Sequence, residues 1–230
     1  MNMLLFRGQN ADTGFKPTKA RHDKLGGDNG AVYFLGFERR SSALAYALTN
    51  YKIFEEDLDF DEESEWVENG VLYQCQYKDR EPKMLNHIPV DSVCTVLPTV
   101  YQLLNDIDDT LFSDTKQFSE YANNFDSVFD LIEDINELRN DYELSKEKFD
   151  ELISPIIDTC GTSIAIAMEN GEALNDEYLV YRTSDVKVLK VVPVYKKDIL
   201  RLPINERRKL PIDTIQKMDR EYLDGTVLFR

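Results

Sequence analysis

Asn175-Asp176-Glu177-Tyr178-Leu179-Val180-Tyr181, followed by Ser184-Asp185-Val186-Lys187-Val188-Leu189-Lys190-Val191-Val192, is the stretch on which the fold turns. Tyr178–Tyr181 reads as one strand and Val186 to Val194 as the next. Just upstream, Ser163-Ile164-Ala165-Ile166-Ala167-Met168 is apolar and strand-like, and Glu169-Asn170-Gly171 reads as a turn. The region therefore predicts consecutive short strands joined by tight connections.

Further upstream the period changes. Phe118, Tyr121, Phe125, Val128, Phe129, Ile132, Ile135 and Leu138 recur at three- and four-residue steps, which is an amphipathic helix pattern. A second helix is expected from Ser145 to Ile153, limited by Pro155. Another is expected near Thr99–Leu104. The block at about 97–158 thus reads as an acidic helical insertion between strand-rich halves, with its aromatic stripe in the core.

At the N-terminal end, Leu4-Leu5-Phe6 reads as a short buried strand ending at Arg7-Gly8. Residues 9–30 are polar and glycine-rich and read as a loop. Ala31-Val32-Tyr33-Phe34-Leu35 has strand propensity. Ser41 or Ser42 is suited to cap a helix carrying Ala43, Leu44, Tyr46, Ala47 and Leu48. The run from Glu55 to Glu65 is strongly acidic and reads as a solvated loop, with a cation or an electropositive partner as the sharper alternative. Residues 71–77 alternate as a half-buried strand does. Beyond about 195 a C-terminal extension is expected, with a helix from Thr214 to Tyr222 and a strand over Thr226–Phe229.

The chain has 230 residues, 42% apolar and 30% charged, a globular composition rather than a disordered one. Its net charge of −16 opposes non-specific nucleic-acid binding and docking on anionic membranes. The charge is uneven: residues 182–230 hold 12 Lys/Arg against 7 Asp/Glu, and the remainder nets −21. Cys75, Cys94 and Cys160 are too few and too dispersed for a disulfide framework, and with only His22 and His87 no zinc spacing is recognisable. His87, in Leu85-Asn86-His87-Ile88-Pro89, reads as a turn residue rather than a base. The opening Met1–Arg7 is too short an apolar run for a signal peptide, and no run approaches a membrane span, so the cytoplasm is the default expectation. Walker, GxGxxG, GxSxG and HExxH motifs are absent from the sequence.

Three separated pieces remain: Leu5-Phe6-Arg7-Gly8; Gly30-Ala31-Val32-Tyr33-Phe34 with Ser42-Ala43-Leu44-Ala45-Tyr46; and the Asn175–Val192 stretch. In order and content they resemble the ADP-ribosyltransferase superfamily, especially its poly-ADP-ribose-polymerase-like branch. That superfamily has a strand ending in His-Gly or Arg-Gly, then a Gly-x-Tyr-Phe strand and a Ser-Ala-x-Tyr helix. Near its end stands Asn-Glu-Tyr-Ile-Val-Tyr, whose glutamate is catalytic. The resemblance implies an α+β fold in which two small, mostly antiparallel sheets form an NAD+ cleft. Residues 1–230 would be a single domain, with the insertion at about 97–158 as elaboration.

NAD+ cleavage explains why these residue types would be needed. As nicotinamide leaves, positive charge develops on the ribose. A carboxylate that accepts the 2′-hydroxyl stabilises that charge more in the transition state than in the ground state, as glycosidase carboxylates do. The resemblance gives this role to Glu177, whose bland alternative is a surface acid at a strand start. Tyr33 and Tyr46 would stack on the flat nicotinamide cation, with Phe34 and Ser42 beside them. Gly8 would offer its backbone to the nicotinamide amide. Arg7 stands where the polymerase-like branch has histidine, as in the Arg-Ser-Glu branch of many bacterial toxins. It would pair with phosphate or ribose oxygens.

The departures shape the expectation. A Ser-Thr-Ser strand motif is missing, and Asn175 stands two residues before Glu177 where the arginine-modifying branch has Glu or Gln. The missing histidine argues against polymer elongation. The expected activity is therefore transfer of a single ADP-ribose from NAD+ to a macromolecule, protein first and nucleic acid as an open possibility, with no membrane partner. The resemblance suits bacterial or phage conflict. Two alternatives use the same fold: an acidic binding protein that mimics nucleic-acid charge, and an NAD+ glycohydrolase.

Overall fold

The computed structural model describes residues 3–10, 14–15, 30–48, 67–169 and 171–195, without the side chains of 41, 42, 44, 45 and 169. The acidic run at 55–65, His22, the expected C-terminal helix and the Thr226–Phe229 strand lie outside these residues.

The architecture is α+β, as the sequence implies. The strands are β1 (Leu4–Gln9), β2 (Val32–Leu35), β3 (Asn69–Tyr77), β4 (Ile164–Glu169), β5 (Glu172–Val180) and β6 (Val186–Tyr195). The helices are α1 (Arg40–Leu48), α2 (Leu97–Asn105), α3 (Thr115–Ala122), α4 (Val128–Asp141) and α5 (Lys146–Cys160). The expectation of two small sheets is corrected. Among the described residues the strands follow one six-stranded order, β4-β5-β2-β1-β3-β6, because the short β2 hydrogen-bonds on both of its edges. Every pairing with a described register is antiparallel. The chain divides into two compact units: residues 1–14, 34–80 and 186–230, and residues 15–33 and 81–185.

In the first unit β1 pairs with β3 from Leu4↔Gln76 to Gln9↔Val71. The strand therefore runs on through Arg7-Gly8 instead of ending there. Leu5, Phe6, Phe34, Leu72 and Cys75 are buried in this unit, each large apolar side chain contributing about 1.5–3 kcal/mol. Helix α1 begins at Arg40, so Ser41 and Ser42 lie inside its first turn rather than at its cap. It approaches the sheet through backbone. A Cβ on Gly8 would lie 1.8 Å from the Ala43 carbonyl oxygen, and one on Gly70 would lie 1.8 Å from that of Ala47. Two side-chain-free strand positions facing alanines at i and i+4 let helix and sheet touch main chain to main chain.

The second unit is built on the helices. The aromatic stripe is core, as its period predicts: Phe118 is fully buried, with Phe112 at 5.0 Å between ring centroids. The stripe does not form one helix. It breaks over residues 123–127 because Ser127 opens α4 with a capping box. The Asp130 backbone N–H donates to Ser127 Oγ at 3.2 Å, and the Ser127 N–H donates to Asp130 Oδ2 at 3.1 Å.

Helix α5 begins after Ser145, as read, but runs through Pro155 to Cys160 and ends at Gly161 in the left-handed region (φ 70°). Ile156 and Ile157, beyond the proline, are buried. Their packing outweighs the roughly 3 kcal/mol that an interior proline costs. The helices share one core with Ala165, Ala167, Leu179 and Tyr181 of the β4–β5 hairpin region. Among the described residues β4 lies at one end of the strand order, and there Asn86 meets it: its amide accepts from Ile166 N–H at 2.7 Å and donates to Ile166 C=O at 3.2 Å. His87 closes a 3-10 turn, Leu85–His87, and is exposed.

Candidate functional site

Glu177 is not a surface carboxylate. It is 1% exposed, the least exposed acidic residue among the described ones. Burying a carboxyl is costly unless it is hydrogen-bonded or paired, so a buried acid is a candidate site residue. Its position comes from an irregularity in the hairpin. The ladder runs Ile164↔Val180, Ala165↔Leu179, Ile166↔Tyr178, then resumes at Met168↔Ala173. Ala167 thus stands opposite four residues, Leu174 to Glu177. Asp176 takes φ 56°, and the Tyr178 hydroxyl donates to Asp176 Oδ1 at 3.0 Å. A strand that gains residues in this way bends and re-aims the side chains next to the bulge. Tyr33, on the neighbouring β2, is half-buried against the helical core.

In the first unit, Arg7 is half-buried and its Nε donates to Gln9 Oε1 at 2.8 Å. Gln9 Nε2 in turn donates to the Gly14 carbonyl at 3.0 Å and to the Tyr73 hydroxyl at 3.4 Å. Gln9 thus holds the arginine and Tyr73 accepts from Gln9, and sequence reasoning missed both. The Arg-x-Gln spacing on one strand face was the available signal, since residues two apart share a face. Gly8 is buried, and the space left by its missing side chain is filled by α1 backbone. Phe34 is fully buried in the core. Tyr46 is half-buried on α1, and the Ser42 side chain lies outside the described ones. The structure therefore brings Arg7, Gly8, Phe34 and Tyr46 into one unit, and Tyr33 and Glu177 into the other.

A buried hydrogen bond between a tyrosine and a glutamate was also missed. The Tyr181 hydroxyl, fully buried, donates to Glu133 Oε1 at 2.6 Å. Burial pushes the Glu133 carboxyl up to about 7; the Tyr181 hydrogen bond opposes this, and Glu137 and Asp130 add to it. Burial likewise holds the Tyr181 phenol well above its usual range, with Glu133 adding to the effect. The only sequence signal was a glutamate four residues after core Phe129 and three before core Asn136 on α4. Among the described residues no three His, Cys, Asp or Glu side chains are grouped to hold a metal ion, and no helix is long and apolar enough to cross a membrane.

Comparison with protein-family models, curated proteins and solved structures returned no match.

Proposed function

We propose that this chain transfers one ADP-ribose from NAD+ to a macromolecular acceptor, protein first, with Glu177 as the catalytic carboxylate. The observation that carries the reading is the buried setting of Glu177 on a bulged strand beside β2. A carboxylate withdrawn from water interacts more strongly with charge developing on the ribose than an exposed one would. In the reaction the bond between ribose C1′ and the nicotinamide nitrogen breaks, and nicotinamide leaves with the electron pair. An acceptor nucleophile then bonds to C1′ and gives up its proton.

The remaining residues divide by how well they suit NAD+ as substrate. Arg7, held by Gln9, suits an anionic phosphate. Tyr33 and Tyr46 keep part of their surface exposed and suit a flat cation. Gly8 and Phe34 suit it less, since α1 fills the space beside the one and the core encloses the other.

The test is label transfer from NAD+ in cell lysate, wild type against Glu177→Gln. Wild type is expected to give a discrete labelled species, with the variant reduced on the order of a hundredfold or more. Nicotinamide release without label would make the protein a glycohydrolase. Absence of both signals would overturn the reading. It would leave the acidic binding protein that the net charge of −16 favours; that partner's affinity would survive Glu177→Gln and fall with salt.

A further inference from the structure

We propose that Asp176 is the positioning residue for Glu177: its left-handed backbone, fixed by the Tyr178 hydroxyl, sets where the buried carboxylate points. The inference rests on the reading of Glu177 as catalytic and names a residue on which that site depends.

Three observations carry it. First, the β4–β5 ladder gathers all its extra residues at Leu174 to Glu177, immediately before the paired Tyr178. The surplus is thus placed against Glu177 and not at the hairpin tip. Second, Asp176 is one of two described non-glycine residues with positive φ (56°), the other being Glu143 at a helix end. That conformation costs a residue with a Cβ roughly 1–2 kcal/mol, and aspartate is among the few side chains that tolerate it. Third, glycine would remove the cost, but only a residue with a side-chain acceptor can take the hydrogen bond from Tyr178 at 3.0 Å. Tyr178 is locked in register opposite Ile166. Asp176 is therefore tied, across Glu177, to the first regular residue of the strand. This brace spans the one residue whose direction matters.

The physical consequence is specific. If the brace goes, the peptide before Glu177 gains freedom while the strand after it stays paired. The carboxylate then spends time away from its working direction. A misplacement of about 1 Å at a reacting group costs on the order of a hundredfold in rate, whereas substrate contacts made elsewhere are untouched. The effect belongs in kcat and not in KM.

The experiment measures kcat and KM for nicotinamide release from NAD+, with the thermal midpoint, for wild type, Asp176→Gly, Asp176→Asn and Tyr178→Phe. Glycine adopts the backbone freely, so that variant keeps the fold while losing the brace. Its kcat is expected to fall about tenfold to a hundredfold with KM within about threefold of wild type. Tyr178→Phe is expected to fall in the same direction. Asparagine tolerates the conformation and keeps an oxygen acceptor, so Asp176→Asn is expected to recover most of kcat. Wild-type kcat in Asp176→Gly, a loss confined to KM, or an asparagine variant as slow as the glycine one would overturn the proposal and leave the role of Glu177 standing. Failure of wild type to release nicotinamide would overturn both, and that outcome is read before any variant is made.

Discussion

Glu133 illustrates how one residue's surroundings decide its chemistry. Its carboxyl is held up near 7, chiefly by burial, whereas in the unfolded chain it returns to the ordinary carboxylate range. Between those values the folded protein binds the proton more tightly. Its contribution to stability is therefore present at low pH and is lost as pH rises through about 7. Glu133→Gln keeps an oxygen for the Tyr181 hydroxyl but does not titrate. Urea midpoints should place this variant close to wild type at about pH 4 and above it at about pH 8. Parallel pH dependence in the two proteins would show that Glu133 titrates normally. Little of this was legible beforehand, because a glutamate on an acidic helix looks solvated until Tyr181 arrives from another element.

The same contrast appears among elements. The start of α5 near Ser145 was readable, since the signals that open a helix lie within the local chain. The passage of α5 through Pro155 was not, because burial of Ile156 and Ile157 depends on the other helices. At the junction of α1 with β1, Gly8 was read for a ligand and its bare face is occupied by a helix. Gly8→Ala would drive a methyl group to 1.8 Å from the Ala43 carbonyl oxygen, which only a shift of the whole helix relieves. A loss of about 3 kcal/mol or more is expected from such overpacking, measured by chemical denaturation. A loss below about 1 kcal/mol would mean that α1 does not rest on β1 as described.

For the whole molecule, the thiols report on how tightly the fold is closed. Cys75 is buried and pushed up to about 12; Cys160 is half-buried and pushed up to about 11, mainly by burial in each case. Cys94 is exposed. Thiolate is the reactive form, so a thiol reagent at pH 8 is expected to modify one cysteine per native chain quickly and three in denaturant. Three fast thiols in the native protein would place Cys75 and Cys160 in segments that open readily.

The α+β class, the order of strands around a helical block and the aromatic core stripe were legible in the sequence. These follow from periodicity and local hydrogen bonding, which act over a few residues. It also singled out Glu177 by resemblance, but not its setting. The burial of Glu177, the residues that β5 gains against Ala167 and the filling of the space at Gly8 by α1 were visible only once the chain was folded. Each of these depends on a partner brought in by strand pairing or helix packing, in most cases from far along the chain. A local pattern carries no record of which surface will come to face it.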